Sequence, residues 1–172
     1  MPILTSSQAL TIGFIVAPSL FLVSAYFTHA TRRHIFGAVI GAGLYSLINY
    51  VWDKFAAAFG WWTYPAWSAN GQFPLTAYIL AGIVGGAFGL VGWRIIQRWH
   101  WKGLAFFLLF WAVYALVHDY GGSILFASSR LMVFGPGPVP IIADILWYVS
   151  GNALPPIVIW QIGDPSHKTH NN

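Results

Sequence analysis

The sequence predicts an all-α integral membrane protein of five transmembrane helices, with its N-terminus outside and its C-terminus in the cytoplasm. Three observations predict it. Of 172 residues, 58% are hydrophobic and only 7% are charged, against roughly 25% charged in an ordinary globular chain. Charge-free apolar runs recur at about the 20 residues that a helix needs to cross a ~30 Å hydrocarbon core. The few basic residues collect on alternate connections, as the positive-inside rule requires of cytoplasmic loops.

The first span, residues 9–29, has no basic segment before it and no small-residue cleavage site near its end. It reads as a retained helix and not as a signal peptide. Arg32 and Arg33 separate it from the second span, 35–59. Trp61, Trp62, Tyr64 and Trp67 then form an aromatic girdle at headgroup level. The third span, 73–93, is followed by Arg94, Arg98 and Lys102, and the fourth is 103–123. Phe134-Gly135-Pro136-Gly137-Pro138 turns the chain rigidly into the fifth span, 139–162, where Pro155 and Pro156 predict a kink. Lys168 in the tail joins the basic side, leaving Lys54 and Arg130 opposite. One membrane domain therefore covers residues 1–163, and 164–172 reads as a polar, disordered cytoplasmic tail. Gly37 with Gly41, Gly82 with Gly86, and Gly85 with Gly89 are spaced for close helix packing.

A shift of 66 residues lays Arg32 on Arg98, His34 on His100, Gly37 on Gly103, Asp53 on Asp119 and Pro74 on Pro140. This suggests parallel repeat units of about 7–72 and 73–138, with 139–163 beginning a third. Chance matching among apolar residues is the alternative.

The acids fall at one depth. Counting along the helices from the basic side puts Asp53 and Asp119 near the outer interface, and Asp144 lies about one turn into helix five. Helical spacing extends this layer inward through Tyr45, Asn49 and Asp53, through Asp144, Tyr148 and Asn152, and through Trp111, Tyr114 and His118. Polar groups inside a membrane cost a few kcal/mol unless they line a cavity or pair, so an outward-opening polar and aromatic cavity is expected. The competing reading pairs Asp53 or Asp119 with Lys54 or Arg130 at the interface. His118 and Asp119, adjacent on an α-helix, would point about 100° apart and form no dyad by adjacency. His167 and His170 read as solvated. The composition excludes cysteine chemistry and a basic nucleic-acid surface, and no metal-ligand spacing, phosphate loop or serine-nucleophile motif is present.

Trp52-Asp53, Gly60-Trp61-Trp62-Thr63-Tyr64-Pro65 and Phe73-Pro74-Leu75-Thr76-Ala77-Tyr78 resemble the pattern of the membrane-integral lycopene cyclase domain. That domain occurs in heterodimeric bacterial and fused fungal carotenoid enzymes. Thr76 and Ala77 stand where that family carries paired glutamates. The resemblance implies redox-neutral acid–base chemistry without a cofactor: an acid protonates an end-group double bond, the carbocation cyclises, and a base removes a proton. Asp53, Asp119, Asp144 and His118 are then the catalytic candidates. Trp52, Asn49, Tyr45, Trp61, Trp62, Tyr64, Tyr78, Tyr114, Trp147, Tyr148 and Asn152 are the candidates for substrate contact. The expected partners are the lipid bilayer, an apolar isoprenoid or carotenoid ligand, and a second copy or another membrane protein. The expected location is a bacterial inner membrane. A non-catalytic lipid or pigment binder, a small transporter or a subunit of a membrane complex is the alternative.

Overall fold

The computed structural model describes residues 6–68, 70–125 and 132–164. Arg130, His167, Lys168 and His170 lie outside the described residues, as does the tail beyond Asp164. The chain is mostly helical: α1 (Ser6–Phe27), α2 (Arg32–Phe59), α3 (Leu75–Ala115), a π-helical turn (Leu116–Gly121), the short α4 (Gly122–Leu125) and α5 (Val139–Gly163). Two short strands, β1 (Trp62–Thr63) and β2 (Val133–Phe134), join the connections before α3 and before α5. Among the described residues, four helical stretches are long and apolar enough to cross a membrane: Leu10–Phe27, Arg32–Phe59, Leu75–Ile124 and Val139–Gly163. Large apolar side chains face outward along them, with Tyr26, Phe27 and Val117 among the most exposed. Such a surface suits an integral membrane protein.

The third stretch does not run straight. His100 has φ 49° and ψ −130°, outside the helical region, and the chain reverses there. Phe88 meets Trp111 edge to face with ring centroids 5.0 Å apart, and Phe107 packs on Gly92, so the two arms form an antiparallel hairpin. The sequence reading expected a loop over the basic residues 94–102; the structure narrows the break to one residue. The other reversal, between α1 and α2, uses the same device at His29, with φ 52°. Histidine is among the residues enriched at positive φ, and both turns lie beside the basic residues.

α2, α3 and α5 form the core, with α1 laid against α3. Pro155 is the wedge between them. A Cβ on Gly41 of α2 would stand 2.8 Å from Pro155 Cα, and Gly89 of α3 meets the same proline from the other side. Glycine at these two positions lets the backbones close, supplying dispersion contacts where lipid offers no hydrophobic drive to associate. α5 continues as one helix through Pro155 and Pro156, both almost fully buried.

Each end of the bundle is tied. On the basic side, Thr31 N–H donates to His34 Nδ1, leaving Nε2–H to donate to Asp164 Oδ1 at 3.2 Å. Trp93 Nε1 donates to Asp164 Oδ2 at 3.0 Å. One carboxylate thus joins α2 and α3 to the end of α5. At the opposite end β1 and β2 pair antiparallel, Trp62 against Phe134 and Thr63 against Val133. Gly135 N–H extends the latch to the Trp61 carbonyl at 2.7 Å.

Candidate functional site

The site is built at the latched end. α2 presents Tyr45, Asn49 and Asp53 four residues apart on one face, and Asn49 and Asp53 are buried. Asp53 accepts three hydrogen bonds. Trp62 Nε1 and the Tyr64 hydroxyl donate to Oδ1, each at 2.9 Å, and the Tyr78 hydroxyl donates to Oδ2 at 2.7 Å. These donors come from β1, the residue after it and the first turn of α3, so one carboxylate draws the aromatic loop down onto the helices. Burial, and next the neighbouring Asp53 carboxylate, push the Tyr64 hydroxyl pKa well above 10.0, which keeps it a donor.

The competing reading, in which Asp53 pairs with Lys54, is not what the structure has. Lys54 Nζ donates to Gln72 Oε1 at 3.0 Å and stands 5.1 Å from the Tyr50 ring centre. The reason is direction: the carboxylate points into the bundle, whereas the lysine follows the outer surface toward the loop. Arg130, the other expected cation, lies outside the described residues.

The structure also corrects the expectation that adjacency keeps His118 and Asp119 apart. They lie in the π-helical turn Leu116–Gly121, whose wider coil brings consecutive side chains closer in azimuth, and His118 Nδ1–H donates to Asp119 Oδ1. The Tyr114 ring stacks on His118 with centroids 4.8 Å apart, and the Tyr148 hydroxyl faces Asp119. A π-helical turn inside an α-helix often marks a functional site.

Between these groups lies a cavity of about 290 Å³. Of the candidate residues, Tyr45, Asn49, Asp53, Tyr64, Tyr78, His118, Asp119, Trp147 and Tyr148 line it. Trp67, Phe73, Ala81 and Met132 complete the wall. These four are missing from the sequence-derived set, although Trp67 belongs to the aromatic girdle and Phe73 opens one of the quoted motifs. Phe73 is 4.9 Å from both Tyr64 and Trp67 by ring centroid, and 5.4 Å from Tyr78.

The remaining candidates stand back from the wall. Asn152 is buried and donates from Nδ2 to the Tyr148 carbonyl at 2.9 Å, its side chain facing the Tyr45 hydroxyl. Trp62 supports the wall by stacking on Trp147 at 5.8 Å, and Trp52 packs against Trp61 farther out. Tyr114 backs His118. Asp144 is 1% exposed and does not reach the cavity; neither of its oxygens has a hydrogen-bond partner. The expectation that Asp53, Asp119 and Asp144 share one lining therefore holds for the first two alone. Asp144 lies one turn before Tyr148 on the same face of α5 and is buried there.

The His34, Trp93 and Asp164 junction at the far end escaped sequence reading because Asp164 reads as the start of the tail. Among the described residues, no three His, Asp or Glu side chains converge as a metal centre would need. The chain matches no family model, no curated protein and no solved structure.

Proposed function

We propose that the chain is a five-crossing membrane protein, N-terminus outside, whose outer-leaflet cavity takes the end group of an isoprenoid or carotenoid and performs redox-neutral acid–base chemistry on it. The observation that carries this reading is the meeting, in one aromatic-walled cavity, of the His118–Asp119 pair with the Asp53 carboxylate. At roughly 30 Å³ for a water-sized group, the cavity has room for about ten non-hydrogen atoms. That is an end group, with the polyene tail left in the bilayer. The His118–Asp119 pair supplies a proton to an end-group double bond and takes one back after ring closure. Asp53, held as an acceptor by three donors, and the ring faces stabilise the positive charge between those steps. The crossings follow if the two arms of α3 each span the membrane, since the Leu75–Ile124 stretch is roughly 75 Å long.

The second reading is a non-catalytic pigment or lipid binder. It is favoured by Thr76 and Ala77 at the positions where the resembled family has glutamates. Expression in lycopene-accumulating cells tests both. The enzyme reading expects cyclised pigment, lost in Asp119→Asn. Unchanged pigment overturns it, and unchanged polyene co-purifying with the protein supports the binder.

A further inference from the structure

We propose that the same cavity binds a monovalent organic ammonium ion carrying apolar substituents. The inference rests on the reading above for the cavity's being a ligand site, and it adds the charge of the ligand. The three hydrogens directed at Asp53 come from an indole and two phenols, all neutral. All three bonds run toward Asp53 and none away from it, as for an ionised carboxylate, which has no hydrogen to donate. No lysine or arginine among the described residues lines the cavity, and Lys54 is engaged by Gln72 and Tyr50. Asp119 has His118 as its hydrogen-bond partner, so among the described residues the negative charge of Asp53 is left without a fixed counter-ion. Buried charges are ordinarily paired. The same wall carries the rings Trp67, Phe73, Trp147 and Tyr148, and the electron-rich face of an aromatic ring attracts a cation. A small metal ion fits poorly, because it would have to displace hydrogens already directed at Asp53. An ammonium ion with a diffuse, alkylated charge displaces none, and its apolar groups fill the remaining space.

Purified full-length protein in neutral detergent is titrated with benzyltrimethylammonium and with its uncharged isostere, neopentylbenzene, following tryptophan fluorescence. The ammonium ion is expected to bind at least about tenfold tighter than the isostere, and Trp67→Leu and Trp147→Leu are each expected to weaken it about tenfold. These two variants carry the test because Asp53 also holds three elements together. Equal affinity for the isostere, no saturable binding, or ammonium affinity unchanged in both variants overturns the proposal. Ammonium binding with unchanged pigment in cells ends the isoprenoid reading and leaves this one standing; cyclised pigment without ammonium selectivity does the reverse.

Discussion

Asp53 and Tyr78, 25 residues apart, meet through a 2.7 Å hydrogen bond that fixes the latched end of α2 to the first turn of α3. Hydrogen bonds to a charged group are worth about 1.5–3 kcal/mol. Asp53→Asn keeps the shape but turns an amide N–H₂ toward hydrogens it cannot accept. It should destabilise the protein by about 2–4 kcal/mol, the range expected for a broken buried network, read as a lower midpoint in detergent unfolding. An unchanged midpoint would show that Asp53 is not the junction described.

Tyr64 gives the junction a pH dependence. Its folded-state pKa is raised above 10.0 by burial and by Asp53. The folded protein therefore keeps a proton that the unfolded chain loses, and this stabilisation is intact below pH 10 and declines as pH rises through the folded value. Stability should fall in alkali beyond about pH 10, and Tyr64→Phe should flatten that slope while lowering stability at neutral pH. Equal alkaline slopes in the two proteins would remove Tyr64 as the source.

Those two residues also mark where sequence reading stops. Apolar run length and spacing locate the helices, the polar layer and the Asn49–Asp53 face, because these depend on local periodicity. The partners of Asp53 come from a loop whose path is set by tertiary packing, so charge pointed to Lys54 when aromatic donors hold the site. The pairing of His118 with Asp119 depends on a π-helical turn, which α-helical spacing does not reveal. Nothing local in the sequence distinguishes Asp144, enclosed and unpartnered, from an acid that lines the cavity.

Orientation is open to labelling. With Asn70 on the latched side, Asn70→Cys should react with a membrane-impermeant maleimide from the outside of intact cells, and Arg33→Cys only after permeabilisation. The opposite pattern would invert the topology and place the cavity in the inner leaflet.

The seam at Pro155 predicts a steric effect. Gly41→Val places two methyl groups where a single Cβ already crowds the Pro155 backbone. Overpacking of this kind costs about 1–3 kcal/mol or more. The variant should lose thermal stability, whereas Gly43→Ala, which meets no neighbour, should not. Equal behaviour of the two would argue against close approach of α2 and α5.

Asp164→Ala removes the acceptor shared by His34 and Trp93 and leaves two buried donors unsatisfied, at a cost of about 1–3 kcal/mol each. It should loosen the basic end and raise amide exchange in the last turns of α5, leaving ligand binding at the far end nearly unchanged. Equal losses at both ends would mean that the two junctions are one cooperative unit.

The latch between β1 and β2 has a consequence for biogenesis. Trp62 and Phe134 belong to connections made far apart in time on the ribosome, and Trp147 and Tyr148 arrive only with α5. Until that last helix is inserted, Asp53 has its aromatic donors but no chamber, and the polar face of α2 is left toward lipid or a chaperone. A nascent chain halted before residue 139 should therefore be degraded faster than the full chain, and α5 supplied as a separate polypeptide should rescue it by completing the wall.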